Sequence, residues 1–392
     1  MLSVARRRDR GMRAQARRRA GLPVTGEEPE DVGSELFREL ARMVTTLAEI
    51  QGLRSFTLPY PDLAQRALDR TVMHCIDVGR TPPRSLPELW EWCRTKPAGD
   101  PLFAVPASLV TSDATLVHPG GRMPTRSCLE LASHGVGGGV AAHARALLDD
   151  LEARCGTGER YRRCRRFLAR HPVVHQQDRF GSGWNRDVWS RVKDLYGEFP
   201  EHLLAGGRFL RCPSCELPAL PRDGTTPVSG PSSTNEVIWC EGENCPRDAP
   251  PELIRDPEQA LILHRSLRMF LALPHRTEEA VEDVLDRAGV GREPLPQCLS
   301  AYRLTGTGTR IVDIQVHDRL QPALLAAHVA HGTPLADLTL VVVPGQLAGR
   351  DDYREAFTEA LPPLIRGRLV LTTPVDLVPA LNCPQREEKD DA

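Results

Sequence analysis

Leu36, Leu40, Met43, Leu47 and Ile50 recur at helical spacing behind Ser34, a residue suited to capping a helix. That spacing predicts an amphipathic helix over about 34–51. Leu63, Ala67, Thr71 and Cys75 stand four apart and predict a second helix over 62–75. A short third one over 85–93 carries Leu86, Leu89, Trp90 and Cys93 on one stripe. Residues 97–127 break this rhythm and read as loops with a few strand-like pieces. Helices return over 140–154, 159–170 and 185–196, the last with Val188, Trp189, Val192 and Leu195 at helical spacing. Residues 34–200 therefore read as a mainly helical domain.

The rhythm changes after residue 250. Asp256-Pro257-Glu258 has the form of a helix start and predicts a helix to about 271, followed by another over 277–288 that Gly289 ends. Strands are expected over 301–304, 310–317, 338–343 and 369–372, and helices over 322–331 and 351–366. Leu338 to Val343 is apolar and β-branched, as a buried parallel strand is. Alternating strands and helices predict an α/β domain over 256–382, so the chain as a whole is of the α+β multidomain class.

Length agrees with this division, since 392 residues are enough for two or three domains. Charge changes the picture at the ends. Residues 1–20 hold eight arginines against Asp9, although the whole chain carries a net charge of only −2. Residues 1–33 are expected to be a basic, disordered arm, and residues 383–392 an acidic tail. No apolar run approaches the roughly 18 residues that a membrane span needs, and the basic start lacks the apolar core of a secretion signal. A cytoplasmic protein without a membrane partner is expected.

Residues 205–250 show almost no periodicity, so something other than an apolar core must hold them. Cys212-Pro213-Ser214-Cys215 and Cys240-Glu241-Gly242-Glu243-Asn244-Cys245 supply two close cysteine pairs. Cys212, Cys215, Cys240 and Cys245 make a four-thiolate set for a structural zinc ion, and the segment reads as a zinc ribbon. An iron–sulfur or redox role, or free thiols, are the alternatives. All four positions being cysteine, no position is left open for a catalytic water. The other seven cysteines are scattered, which in a chain without a secretion signal argues against a disulfide framework.

Along the strand expected over 310–317, Asp313, Gln315 and His317 fall on one face. A carboxylate with a polar group two residues on, projecting from an α/β sheet, is the pattern of metal-dependent phosphodiesterases and resembles the restriction-endonuclease-like PD-(D/E)xK signature. The alternative is an amphipathic strand with a solvated polar face. Two departures stand out. Gln315 occupies the lysine position, and no lysine lies between Lys193 and Lys389. The preceding strand, Ser300-Ala301-Tyr302-Arg303, lacks an acid, which leaves Glu282 or Asp286 of the helix before it to supply one.

Several segments, taken in order, resemble the restriction-endonuclease-fold protein encoded beside prokaryotic PIWI-RE proteins in a three-gene defence island. They are Gly79 to Leu89 with Trp92-Cys93, Pro124 to Leu131, Tyr161 to Leu168 with His171-Pro172-Val173, and the four-cysteine insert. Arg265 to Phe270, Ala301-Tyr302, Val312 to Asp318, Val341 to Pro344 and Asp352-Tyr353-Arg354 complete the set. The resemblance spans most of residues 35–381. It implies a nucleic-acid target, DNA before RNA, and partnership with a PIWI-RE protein and a helicase. It also implies a site reading Asp-Ala-Tyr-Asp and then Asp-Val-Lys-Asp, and this chain has Ser-Ala-Tyr-Arg and Asp-Ile-Gln-Val, so that only Asp313 matches a catalytic position outright. In an active nuclease Asp313 would bind Mg²⁺, Gln315 would place water and His317 would support a ligand or phosphate. The other reading is a non-catalytic adaptor that keeps the fold as scaffold. A zinc-ribbon regulatory protein outside such islands is a third.

Arg160, Arg162, Arg163, Arg165, Arg166 and Arg170 crowd one helix, with Tyr161 and Phe167 interleaved. Arg162, Arg163 and Arg166 are the candidate nucleic-acid contacts, and the basic arm is a further one. The alternative is a solvated helix whose arginines pair with Glu152 and Glu159. His134 to Gly139 is glycine-rich, but it follows no strand and precedes no Lys-Ser/Thr pair, so it reads as a connection.

Overall fold

The computed structural model describes residues 32–50, 59–118, 123–134, 139–175, 186–200, 203–205, 208–221, 238–245, 251–254, 256–295, 299–306, 310–332 and 336–382. The basic arm, the acidic tail, the stretch over 222–237, Cys298, Cys383 and the glycines at 135–138 lie outside the described residues.

Helix α1 (Val32–Ile50) buries Leu36, Leu40, Met43 and Leu47 as their spacing predicts. It packs on α2 (Asp62–Asp77), α3 (Leu86–Thr95) and α4 (Arg126–Ala132). Gly33 lets α1 approach the next layer, since a Cβ there would stand 2.0 Å from the carbonyl oxygen of Phe103. Ser85 caps α3 by accepting from the Glu88 amide, and Thr125 caps α4 by accepting from the Cys128 amide. Every residue of α4 is buried, including Arg126 and Glu130. The loops between α3 and α4 complete this core with Phe103, Val110 and Leu116.

Helices α5 (Gly139–Cys155), α6 (Gly158–Arg170) and α7 (Arg186–Val192) form a second cluster. Against it lies a small antiparallel sheet in which β8 (Ala260–Leu263) is flanked by β1 (Val173–His175) and β2 (Tyr196–Glu198). Here the sequence expectation fails twice. The helix expected over 185–196 stops at Val192, turns tightly and enters β2. The helix expected from 256 is a single turn, Pro257–Gln259, followed by the strand β8. Asp256 has φ +53° and its side chain caps nothing. A four-residue apolar run such as Ala260 to Leu263 fits strand and helix equally, and pairing with β1 and β2 decides.

The cysteine-rich insert is β3 (Leu204–Ala205), β4 (Arg208–Arg211), β5 (Pro218–Pro221) and β6 (Ile238–Cys240), with β7 (Glu252–Ile254) on the free side of β4. The chain then enters one long helical run: α8 (Arg265–Leu267), a π-helical stretch (Arg268–Ala272) and α9 (Leu273–Arg287).

The C-terminal sheet has the order β13 (Leu369–Thr372), β12 (Leu338–Val342), β11 (Val312–Val316), β10 (Ala301–Thr305), β9 (Gly291–Pro294). The first three are parallel and the last two continue antiparallel, so the sheet is mixed. Val312, Ile314 and Val316 pack with α9 and α13 (Leu377–Asn382) on one face. Val341 packs with α10 (Pro322–Gly332) and α12 (Asp351–Ala360) on the other. The helix expected over 351–366 ends at Ala360, because Pro362 holds Leu361 extended at ψ 136°. Leu324 of α10 belongs to the N-terminal core, which ties the two ends of the chain together.

Candidate metal centre and the charged network around it

Turns after β4 and β6 bring Cys212, Cys215, Cys240 and Cys245 together, their four sulfurs all within 4.8 Å of one another. The Cys215 and Cys240 sulfurs are 3.8 Å apart. A tetrahedron of metal–sulfur bonds of about 2.3 Å has edges of about 3.8 Å, so the spacing suits zinc. Gly242 is required inside the second turn: a Cβ there would stand 3.0 Å from the Cys245 sulfur and 3.1 Å from that of Cys215. Without a cation, one thiolate must share its charge with three thiols. Hydrogen bonds from its neighbours hold Cys212 below the usual thiol range, while the same contacts push Cys215 and Cys245 up. A divalent cation relieves that conflict by accepting all four sulfurs as thiolates. Among the described residues this is the one cluster of ligating side chains with metal-site spacing.

The same turn carries a second layer of chemistry. Glu241 is 3% exposed and receives both arms of Arg268, at 2.7 and 2.6 Å. The π-helical stretch begins at Arg268, which also donates to the Leu263 carbonyl. Arg126 reaches the Gly242 carbonyl at 2.8 Å, while its own amide donates to Glu243 at 2.9 Å. Glu243 also accepts from the Trp239 indole, and burial raises its pKa to about 7 despite these donors. Arg126 continues to Glu130 within α4 and to Asp318 after β11. Glu130 in turn accepts from the Leu320 and Gln321 amides, at 2.7 and 3.0 Å. Burial pushes Glu130 up, opposed by Arg126 and Arg319. The metal turn, the buried helix α4, the π-helical stretch and the strap after β11 thus meet in one satisfied network.

Asp313 is almost wholly buried on β11 and stands opposite Arg303 of β10. The guanidinium donates to both carboxylate oxygens, at 2.8 and 3.0 Å. Gln315 lies next along the row, and the His317 ring nitrogen is 3.3 Å from its side-chain oxygen. The strand therefore places Asp313, Gln315 and His317 in one row, as alternation predicts. Glu282 and Asp286 do not join them. Tyr302, on the opposite face of β10 from Arg303, donates to Glu278 and Glu282, and Asp286 pairs with Arg292. Helix α9 covers the other side of the sheet.

On α6, Arg162 and Arg163 are exposed and Arg166 keeps a side-chain exposure of 60%. Arg163 pairs with Glu159 and Arg166 lies 3.9 Å from Glu282. Arg165 differs from its neighbours. It turns inward to Glu278 at 3.1 Å and to the Ser300 hydroxyl at 3.0 Å. Burial would raise the Glu278 pKa, but Arg165, His275 and Tyr302 outweigh it and hold the carboxyl at about 2.

Residues 36–175, from α1 through β1, match the family model described as pPIWI_RE three-gene island domain Y. This match associates the chain with pPIWI-RE islands. No curated protein and no solved structure matches. The domain Y match contains α4 with Arg126 and Glu130, and α6 with its arginines. The cysteines, Arg268 and Asp313 lie beyond it. No helix among the described residues is long and apolar enough to cross a membrane.

Sequence reasoning missed Arg126, Glu130, Glu241, Arg268 and Arg165 as partners. A signal was present: each is a charged residue inside one of the segments that carry the family resemblance, and Arg126 and Glu130 stand four apart on a helix whose other residues are apolar apart from Ser127.

Proposed function

We propose that the chain serves its pPIWI-RE island as a zinc-stapled, nucleic-acid-binding component that does not cut. The observation that carries this reading is the Arg303–Asp313 pair. Phosphodiester hydrolysis by this class of site needs clustered carboxylates to hold Mg²⁺ beside an anionic phosphate. Here the one matched acid is gripped by a guanidinium, and the acids of α9 serve the opposite face. Gln315 and His317 then act as structural members of the row, and the C-terminal sheet is a restriction-endonuclease-like scaffold without its metal. Zinc on Cys212, Cys215, Cys240 and Cys245 stabilises the network instead of taking part in chemistry. Arg162, Arg163 and Arg166 offer sequence-independent phosphate contacts, with DNA the favoured target and a PIWI-RE protein and a helicase the expected partners.

The test is a plasmid and a short duplex incubated with zinc-loaded protein and Mg²⁺ or Mn²⁺. Salt-sensitive binding without cleavage is expected. Metal-dependent cutting that Asp313→Ala abolishes would overturn the reading and restore the nuclease.

A further inference from the structure

The strap that follows β11 holds a guanidinium that makes none of the hydrogen bonds of the networks above. Arg319 is 6% exposed, and its guanidinium forms no hydrogen bond or ion pair with any described residue. Its nearest company is the ring of Phe270, 5.4 Å from the guanidinium carbon. The Tyr353 hydroxyl donates to the Arg319 carbonyl at 2.6 Å and fixes the backbone there. The acids close by are committed elsewhere: Glu130 to Arg126 and two strap amides, Asp318 to Arg126. Arg319 thus keeps five N–H donors without a hydrogen-bonding partner among the described residues, and Glu130 is the acid whose charge reaches it.

The Arg319 charge is felt by three histidines, His317 two residues before it, His328 and His134. His317 begins the strap, its amide held by the Val342 carbonyl at 2.9 Å. The rings of His317 and His328 meet edge to face, with centroids 5.5 Å apart. His328 is exposed on α10, His317 is half-buried, and His134 approaches from the end of α4, so the cluster has an open rim. Arg319, then burial, His317, His134 and Arg145 all push the His328 pKa down. Burial, then Arg319, pushes that of His317 down to about 3. The permanent charges that act on His328 from the strap and from α5, Arg319 and Arg145, are both cationic.

We infer that Arg319, His317 and His328 form a binding site for a phosphate-type oxyanion at the carboxyl end of β11. A buried guanidinium without acceptors is costly, and a water offers it lone pairs but no counter-charge. A tetrahedral oxyanion offers both. It accepts from the guanidinium fork in the manner that favours arginine for phosphate, and from imidazole N–H groups on the rim. Its charge also reverses the field that keeps the histidines neutral. The same chemistry fits a phosphate of a nucleic-acid backbone and a free phosphate ion. The inference goes beyond the function proposed above, because it holds whether or not α6 binds nucleic acid.

The experiment follows the histidine ring signals by NMR at pH 7 on the zinc-loaded full chain. Inorganic phosphate is added first. Saturable shifts of the His317 and His328 signals, with their acid-titration midpoints rising, are expected. His328→Ala, at the exposed rim, keeps the fold and weakens binding about tenfold. Arg319→Gln abolishes binding; should it fail to fold, Arg319→Lys keeps a charge, loses the fork and weakens binding by a similar factor. A 5′-phosphorylated oligonucleotide and its dephosphorylated twin separate the sources. If the oligonucleotides move the same ring signals at least about tenfold more tightly than phosphate, the backbone is the ligand. If only phosphate moves them, the ligand is the free ion. Ring signals unmoved by any probe up to about 20 mM, where even millimolar affinity would register, overturn the site. Salt-sensitive DNA binding that leaves these rings unmoved sinks the inference and spares the function proposed for α6.

Discussion

Arg303 and Asp313 face each other across antiparallel strands, one half-exposed and the other buried, with two hydrogen bonds of 2.8 and 3.0 Å between them. Removing the arginine leaves a buried carboxylate with its charge uncompensated. Because water reaches the arginine side and screens the pair, Arg303→Ala is expected to lower the urea midpoint at neutral pH only modestly. Adding Asp313→Asn to that variant recovers most of the loss. A single Arg303→Ala variant as stable as the wild type would show that the pair carries no weight.

Glu241 and Arg268 make a different case, since both are buried. Glu241→Ala strands Arg268, with Arg265 close by, and is expected to cost roughly 3–5 kcal/mol. Combining Glu241→Leu with Arg268→Met should recover much of it. Equal losses in single and double variants would mean that the turn, and not the pair, is what matters.

Metal removal is expected to reach beyond the insert. Pure protein should carry about one zinc per chain, and a chelator or Cys212→Ser should lower the thermal midpoint by at least about 5 °C. Less than half an equivalent of zinc, together with an unchanged midpoint in Cys212→Ser, would remove the metal from the account.

Acid should destabilise the fold in two windows. His264 is pushed down to about 4 by burial, His143 and Arg268, and His317 to about 3. Their folded values lie below the unfolded one, so stability is whole above about pH 6.5 and falls as the unfolded chain takes up protons below it. Glu278, held at about 2, adds stability above its unfolded value of about 4.3, and this is lost as pH falls towards 2. The Glu278 contribution is on the order of 3 kcal/mol. Chemical unfolding between about pH 7 and 2 checks both windows. Glu278→Gln should flatten the lower one alone.

Arg162, Arg163 and Arg166 are expected to set part of the salt dependence of DNA binding. Replacing all three with Gln should reduce the slope of log affinity against log salt by up to about 2.7, at roughly 0.9 per phosphate contact. An unchanged slope would assign the contacts to other residues.

What the sequence made legible was what period and spacing encode. Leu36 to Leu47 on α1, the buried strand β12 and the paired cysteines each follow a local rule, and each stands where that rule puts it. Asp256-Pro257-Glu258 obeyed a local rule too, but β8 is fixed by partners at Val173–His175 and Tyr196–Glu198, far away along the chain. The row Asp313, Gln315, His317 was readable from alternation. That Arg303 would stand opposite Asp313 needed the pairing register of β10 and β11. Arg165 looked like its exposed neighbours on α6, because nothing local distinguishes an arginine that turns inward to Glu278.

Residues 241–243 have a bearing on how the chain folds. Glu243 is bonded to a residue 117 positions away, and the arginine that completes that contact is bonded to another 192 positions further on. Contacts of such separation form late, after most loop-closure entropy has been spent. The cysteines can meet early, whereas the acids between them find their partners only once both ends of the polypeptide have docked. The insert is therefore a closing piece. Cut out as a fragment, it would keep its sulfurs and expose two carboxylates that the whole molecule is built to cover.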